Sequence, residues 1–232
     1  MRAEDAYVSL WRAMRPAAAR TGLLTALEQG ESTAAAHLRS LFAIHDVTDM
    51  MQLDLAWWTY CAIDTVERFL ASDDRPARVF EYGAGASTAW LARRAGEVTS
   101  VEHDQGFADV LAPLLEEYPN VSLQLVPPVS SPTPRTGSQR RGHENFDFTD
   151  YVRAIDDAAG AFDLVVVDGR ARMACVRQAI PRLAPGGIVL LDNANRTEYR
   201  PVGEDSSLEV RVLRGLTPCL PYPTSTALIR PR

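Results

Sequence analysis

The sequence predicts an α/β protein whose doubly wound, mostly parallel seven-stranded sheet ends in an antiparallel hairpin and is preceded by an N-terminal helical cap. From residue 78 onward, short apolar runs alternate with helical stretches, which is typical of a parallel sheet covered on both faces. The last two runs have no helix between them, which predicts the hairpin. A chain of 232 residues, 46% of them hydrophobic, is long enough to bury a large core.

Residues 1–72 are predicted to form the helical cap. Apolar positions in residues 7–14 recur at helical spacing, and a longer helix is expected over residues 50–70. Trp57 and Trp58 lie within that second helix. Burial statistics favour packing of this pair in the core, and an aromatic wall of a substrate pocket is the alternative.

Residues 73–232 are predicted to form the ligand-binding domain. Its apolar runs are residues 78–82, 98–101, 121–126, 162–167 and 187–191, followed by 209–216 and 225–229. Helix candidates lie near residues 87–95, 105–117, 148–159 and 171–184. Residues 127–147 break this rhythm, because they are too polar and too rich in proline, serine and glycine to pack. We expect this segment to be mobile and to lie over the substrate.

The composition excludes several classes of protein. The net charge is −6 and no long basic stretch occurs, which argues against a nucleic-acid partner. The three cysteines are far apart, which favours a reducing cytoplasm over a disulfide framework. No apolar run reaches the roughly 18 residues that a membrane span requires. We therefore expect a cytoplasmic protein that acts on a small molecule, and a homodimer formed through the aromatic-rich cap is left open.

A glycine-containing turn follows the first predicted strand. The strand over 78–82 continues directly into Gly83, Ala84 and Gly85, and a helix begins near Ser87. The glycines permit a tight turn and a close approach of ligand to backbone, while the free N–H groups of the helix favour an anionic group. Dinucleotide-binding folds use the same turn, so it does not by itself identify the ligand.

Three details favour a nucleoside that carries an amino acid. Ser87 and Thr88 stand where a dinucleotide-binding motif has its third small residue. Glu81 would place a carboxylate at the mouth of the strand, where it suits an ammonium group and repels a pyrophosphate. Glu102 ends the second strand and can accept hydrogen bonds from two ribose hydroxyls, although NAD would fit it equally well.

Four sequence blocks resemble a known family when taken in order. They are Phe-Glu-Tyr-Gly-Ala-Gly-Ala-Ser-Thr, Ser-Val-Glu-His-Asp, Phe-Asp-Leu-Val-Val-Val-Asp-Gly-Arg and Pro-Gly-Gly-Ile-Val-Leu-Leu-Asp-Asn. Together they span residues 79–193, about half of the chain, and resemble class I S-adenosylmethionine-dependent methyltransferases. The first block is moderately specific, and the four blocks in family order are a strong match.

The resemblance implies where the cofactor S-adenosylmethionine binds. The loop 83–85 would line its methionine end, Glu102 would hold the ribose, and His103 and Asp104 would lie near the adenine. Residues 1–72 would then be the variable cap that such families place over the substrate.

Polar residues at the ends of two later strands are candidate metal ligands. Asp168 follows one predicted strand, and Asp192 and Asn193 follow the next. The carboxyl ends of parallel strands face one crevice, and oxygen ligands of this kind suit Mg²⁺. Metal-dependent catechol-type O-methyltransferases have a similar arrangement, so we expect a magnesium site here if the enzyme uses a metal. The alternative is that Asp168 and Asn193 cap loops while an arginine pairs with Asp192.

The base that would accept a proton is not evident. The catechol-type enzymes place a lysine three residues after the first aspartate, whereas this chain has Ala171 there, between Arg170 and Arg172. Arginine stays protonated and cannot be a general base, but it can hold a carboxylate or phosphate of the substrate. Asp168, His143 and Arg170 are the catalytic candidates. Further base candidates are Tyr151, His37 and His45.

The favoured function is methyl transfer from S-adenosylmethionine to an oxygen or nitrogen of a small-molecule metabolite. Three alternatives are an NAD-dependent oxidoreductase on a similar fold, aminopropyl transfer, and a non-catalytic nucleoside-binding scaffold. The acceptor itself is not specified by any motif in the cap or the loop.

Overall fold

The computed structural model describes residues 3–30, 32–73 and 75–232. Five helices precede the first strand in this part of the chain: α1 (Ala3–Arg20), α2 (Leu23–Glu28), α3 (Thr33–Leu41), α4 (Val47–Gln52) and α5 (Tyr60–Leu70). No helix within those residues combines the length and the apolar character needed to span a bilayer. The helical character predicted for this region is therefore found.

The prediction of one helix over 50–70 is wrong, because the chain leaves the helical conformation between α4 and α5. Asp54 adopts a left-handed conformation, with φ 53°, and its carboxylate accepts a hydrogen bond of 2.6 Å from Arg94. The backbone N–H of Thr59 donates to the hydroxyl of Thr226, 3.2 Å away. These partners are distant in sequence, so local apolar spacing does not report them.

Nine strands are found in the described part of the chain: β1 (Arg78–Tyr82), β2 (Glu97–Glu102), β3 (Val121–Leu125), β4 (Val129–Ser130), β5 (Phe146–Asp147), β6 (Phe162–Val167), β7 (Leu183–Leu191), β8 (Leu208–Leu216) and β9 (Pro223–Pro231). Seven of them form one sheet in the order β3-β2-β1-β6-β7-β9-β8. The first five in that order are parallel, and β9 runs antiparallel to both β7 and β8. The predicted fold class is confirmed, including the closing hairpin.

Helices cover both faces of this sheet. The helices within or after it are α6 (Ala86–Ala92), α7 (Gln105–Leu115), α8 (Thr149–Asp157), α9 (Arg172–Ala179) and α10 (Arg200–Glu204). Alternate residues of β1 face opposite ways, so Phe80 and Tyr82 pack with Tyr151 of α8, whereas Val79 packs with Trp58 on the other face. Trp58 is fully buried, which confirms core packing for that member of the tryptophan pair.

Helix α5 packs on the same face of the sheet as Trp58. Its residues Ile63, Val66 and Leu70 are buried in one cluster with Val79 and other strand residues. The division expected after residue 72 stays a prediction, and this packing favours grouping α5 with the sheet.

The segment 127–147 has a defined structure, although its sequence was expected not to pack. Its strands β4 and β5 pair antiparallel, and the backbone N–H of Ser131 donates to the carbonyl of Asn145 at 2.8 Å. The backbone N–H of Arg135 donates to the carboxylate of Asp147 at 2.7 Å. Polar contacts therefore supply the order that apolar side chains do not, while the expected mobility of the segment stays a prediction.

The order of the strands locates the ligand-binding crevice. From β1 the chain continues outward to β2 and β3, and it later returns to β6 on the opposite side of β1. Such a switch point opens a crevice at the carboxyl ends of the strands, where open α/β sheets bind ligands. The loops after β1, β2, β6 and β7 surround this crevice.

Candidate active site

The two glycines of the loop after β1 serve different purposes. Gly83 has φ 93°, in the left-handed region, and a Cβ there would lie only 2.6 Å from the Cα of Gly169 in the loop after β6. A Cβ at Gly85 would meet nothing closer than the hydroxyl of Ser87 at 4.0 Å. Gly83 thus permits two loops to touch, whereas Gly85 leaves open space for a ligand.

A cavity of about 620 Å³ opens above this loop. Its volume lies within the range usual for small-molecule sites. Seven of the residues predicted to bind the cofactor line it: Gly83, Ala84, Gly85, Ser87, Glu102, His103 and Asp104. We call it the first cavity.

Glu81 and Thr88, the other two predicted cofactor residues, lie beneath the loop and do not line the first cavity. The carboxylate of Glu81 is fully buried and accepts hydrogen bonds from the hydroxyls of Ser87, Thr88 and Ser100. Burial raises the pKa of Glu81 to about 7, against the opposing effect of these hydroxyls. The expectation of a carboxylate at the mouth of the strand is therefore wrong. Glu81 supports the loop, and Thr88 does the same by accepting the N–H of Gly85 at 3.0 Å.

Glu102 presents one carboxylate oxygen to the first cavity. Its Oε1 accepts the backbone N–H groups of His103 and Asp104, each at 2.8 Å. The ring Nδ1 of His103 lies 2.6 Å from the same oxygen, although without the alignment of a hydrogen bond. Among the described residues no group donates to Oε2, which leaves that oxygen for a ligand. Asp104 caps α7 by accepting the N–H of Phe107 at 2.8 Å.

A second cavity, of about 710 Å³, adjoins the first. Four residues line both: His45, Trp57, Asp168 and Arg170. The cap and the β8–β9 hairpin supply apolar and aromatic walls to the second cavity: Tyr7, Ile44, Trp57, Leu220, Pro221 and Tyr222. The indole N–H of Trp57 donates to the carbonyl of Pro218 at 2.9 Å. Trp57 is therefore a wall residue, as the alternative for the tryptophan pair anticipated.

His143 lies on the side of the first cavity, and the second cavity is not lined by it. Its ring centroid is 5.6 Å from that of His103 and 5.9 Å from that of Phe148. Burial lowers the pKa of His143, and the cations of Arg170 and Arg140 add to that shift. The ring therefore lies beside His103 in the first cavity, and its candidacy as a base stays a prediction.

A guanidinium joins the ends of β6 and β7. Arg172 is buried, and it donates to the carbonyls of Gly169 and Asp192 at 3.0 and 2.6 Å and to the carboxylate of Asp168 at 2.6 Å. Burial raises the pKa of Asp192 to about 7, and the negative charge of Asp168 adds to that shift. Ala171, with φ 48°, turns the chain so that Arg172 points back to the strands.

The predicted magnesium ligands converge here but do not fit a metal. The amide N–H of Asn193 donates to Asp192, and its carbonyl oxygen accepts a hydrogen bond of 2.5 Å from Arg196. The cation of Arg172 lies between the two carboxylates, 3.8 Å from Asp192 Oδ2. Across the described residues, no three His, Cys, Asp or Glu side chains are grouped as a metal site would require. The alternative in which an arginine pairs with Asp192 describes this arrangement.

The other base candidates differ in their access to the cavities. Tyr151 is fully buried and lines neither cavity, and its hydroxyl lies against Gly169 in the loop after β6. His37 lines neither cavity, whereas His45 lines both. Asp168 also lines both, and no described group donates to its Oδ2. The chain contains no lysine, so a lysine base is excluded throughout.

Comparison with known proteins identifies the family. Residues 80–194, about half of the chain, match a sequence-family model described as a methyltransferase domain. The chain belongs to the class I methyltransferases. The predicted family and enzyme class are thereby confirmed, and the NAD-dependent alternative has no support. No curated protein sequence matches this methyltransferase.

Solved structures share the fold of this methyltransferase. The O-methyltransferase TomG from Streptomyces achromogenes, in complex with SAM, is 17% identical with a TM-score of 0.55, over 87% of this chain and 91% of that one. An O-methyltransferase from Bacillus cereus, in complex with SAH, is 14% identical with a TM-score of 0.57, over 80% and 90%. Cofactor-bound Rv0187 from MTB is 20% identical with a TM-score of 0.58, over 82% and 89%.

Sequence reasoning missed several residues of the methyltransferase's second cavity. Arg140 and Arg196 line it together with Arg170. Arg140 lies in the loop between β4 and β5, and Arg196 lies in the segment after β7, so the two are far apart in the sequence. The pair Arg140-Arg141 inside a polar loop is a sequence signal that could have indicated Arg140.

Proposed function

We propose that this methyltransferase transfers the methyl group of S-adenosylmethionine to an oxygen or nitrogen of a small-molecule acceptor. The observation that carries the proposal is the pair of adjoining cavities, which meet at Asp168 and Arg170. One is lined by the loop 83–85 and by Glu102, and the other has aromatic walls. Two reactants of unlike shape would thus be held side by side, as methyl transfer requires.

The residues of the first cavity fit S-adenosylmethionine. The open space at Gly85 suits the methionine part. Oε2 of Glu102 suits the ribose hydroxyls, and the rings of His103 and His143 suit the adenine. When bound, this cofactor supplies a methyl group already activated by its sulfonium.

We assign to Asp168 the role of accepting the acceptor's proton. Arg172 holds its Oδ1 in place, while Oδ2 is left for a ligand at the boundary of the cavities. Burial raises the pKa of Asp168, and the cations of Arg172, Arg196 and Arg170 oppose that shift. A carboxyl with a raised pKa is a stronger base than an ordinary one, and positioned bases contribute roughly 10²–10⁴ to rates.

Calorimetric titration with S-adenosylhomocysteine and with NAD tests the assignment of the first cavity. Wild-type protein should bind S-adenosylhomocysteine and not NAD. Glu102→Gln should weaken that binding by at least about tenfold, because charge-assisted hydrogen bonds contribute roughly 1.5–3 kcal/mol each. Glu116→Gln, an exposed glutamate away from the cavity, is the matched control. Tight binding of NAD without binding of S-adenosylhomocysteine would refute the proposal.

A further inference from the structure

A third cavity, of about 470 Å³, lies between the loop that contains β4 and β5 and the N-terminal part of α9. Besides Arg172, six arginines line it: Arg135, Arg140, Arg141, Arg170, Arg177 and Arg196. Glu198 is the one acid among its lining residues. In a chain whose net charge is −6, this is a strong local concentration of positive charge.

Most of these cations have no anionic partner in the part of the chain that the structure describes. Arg172 pairs with Asp168 and Asp192. Among the described residues, no carboxylate lies within ion-pair distance of the other six arginines. Like charges held together without a counter-charge repel one another, and an oxyanion ligand would relieve that repulsion.

Arg170 is the most informative of the six. Its Nε is buried and has no hydrogen-bond partner in the described structure, and its Nη1 makes only a long contact of 3.5 Å with the carbonyl of Gly169. Burial lowers the pKa of Arg170, and the neighbouring charges of Arg140 and Arg172 add to that effect. A guanidinium that is partly withdrawn from water and lacks partners is costly unless a ligand supplies them.

The position of these arginines connects them to the acceptor. Arg170 lines all three cavities, and Arg140 and Arg196 line both the second and the third. An anionic group held by Arg140 and Arg170 would therefore leave the rest of the same molecule in the second cavity, beside Asp168. Guanidinium groups bind carboxylate and phosphate oxygens in pairs, which also orients the ligand.

We propose that the acceptor is an anionic small molecule whose carboxylate or phosphate group is bound by Arg140 and Arg170. This inference rests on the proposed function, because it takes the second cavity as the acceptor site. The two arginines are specificity residues: they select the acceptor's charge and set its orientation, and Asp168 carries out the proton transfer.

The test is calorimetric titration of protein saturated with S-adenosylhomocysteine, using benzoate, phenyl phosphate and the neutral analogue benzamide. Inorganic phosphate is titrated too, so that the result does not depend on the aromatic ring. At least one anion should bind about tenfold or more tightly than benzamide. The stronger of benzoate and phenyl phosphate identifies which oxyanion the pocket prefers.

Substitution of the arginines decides whether they cause this preference. Arg170→Met and Arg140→Met should each reduce the ratio of anion to benzamide affinity, and the double variant should bring it close to one. Arg153→Met, a mostly exposed arginine of α8, is the control and should leave the ratio unchanged.

Four results would overturn the inference. They are equal affinity for anions and benzamide in wild-type protein, an anion preference that survives the double variant, loss of S-adenosylhomocysteine binding in Arg170→Met, and tighter binding of a short single-stranded RNA that displaces the anions. The third would assign Arg170 to the cofactor's carboxylate, and the fourth would make the ligand a nucleic acid. If wild-type protein binds anions but not S-adenosylhomocysteine, the proposed function fails while the anion pocket stands.

Discussion

The carboxylate of Glu81 is buried beneath the loop 83–85, and burial raises its pKa from 4.5 to about 7. Between these two pH values the folded protein keeps a proton that the unfolded chain has lost. The free energy of unfolding should therefore decrease as the pH rises from about 4.5 to 7, by about 3 kcal/mol at 1.36 kcal/mol per pKa unit. Asp192, whose pKa is also raised to about 7, contributes in the same direction.

Urea unfolding of Glu81→Gln at pH 5, 6, 7 and 8 checks this. The variant cannot ionise at this position, so its stability should decrease less with pH than that of wild type. Part of the slope should remain, because Asp192 is unchanged. Glu116→Gln, which is exposed, should behave as wild type does. Identical slopes for wild type and Glu81→Gln would show that this carboxyl is not the source.

The role of Asp168 leads to a prediction about rate. Asp168→Asn keeps an oxygen that can accept the hydrogen bond from Arg172, and it loses the ability to take a proton. With any acceptor that wild type methylates through a hydroxyl, kcat should fall by roughly 10²–10⁴. Formation of S-adenosylhomocysteine reports the rate, and its affinity should stay within about twofold of wild type. Unchanged kcat in Asp168→Asn, with Asp150→Asn as the exposed control, would exclude this residue as the base.

At the scale of single residues, the sequence located the loop glycines and Glu102 because their roles depend on backbone geometry at a strand end. It could not orient Glu81, because the hydroxyls that hold its carboxylate come from Ser87, Thr88 and Ser100 on two other elements. The aspartates at the ends of β6 and β7 were found for a similar reason. Their neutralisation by Arg172 depends on the turn at Ala171, which local sequence does not specify.

Among the structural elements, the segment 127–147 is the one that we expect to be mobile. Its two strands contain two residues each, and its contacts are polar and near the surface. Such segments open at low cost, so its amides should exchange with solvent faster than those of β6. Because Arg140 and His143 line the cavities, S-adenosylhomocysteine and a bound anion should slow that exchange.

Hydrogen exchange followed by mass spectrometry checks this prediction, with limited trypsin cleavage after Arg140 and Arg141 as a second measurement. The strand β6 is the internal reference, since all six of its residues are buried. Protection equal to that of β6, both with and without ligands, would contradict the expected mobility.

Prediction of the elements succeeded where short-range patterns determine structure and failed where distant partners do. The seven strands of the main sheet were found because apolar runs flanked by helices leave few alternatives. The helix expected over 50–70 is interrupted because Asp54 binds Arg94 and Thr59 binds Thr226. Order in 127–147 was missed because it comes from hydrogen bonds, which hydrophobic patterning does not register.

For the whole molecule, the doubly wound sheet with its closing hairpin could be predicted because right-handed crossovers between parallel strands allow few topologies. Net charge was less informative. The value of −6 is the basis for expecting no nucleic-acid partner, which stays a prediction, and it conceals the arginines that surround the third cavity. Those arginines come from the 127–147 segment, the loop after β6, α9 and the segment after β7, and they meet only once the chain is folded.

The contact between Gly83 and Gly169 has a consequence for how the two reactants bind. A Cβ on Gly83 would lie 2.6 Å from Gly169, so the loops after β1 and β6 touch backbone to backbone and share a wall. Occupancy of one cavity should then alter the affinity of the other, and thermodynamic linkage requires the same factor in both directions. Titrating benzoate with and without S-adenosylhomocysteine, and the reverse, measures that factor, and a value of one would show that the wall transmits nothing. Neither glycine can acquire a side chain without displacing the loop that faces it, so the two loops are constrained to change together as the protein evolves.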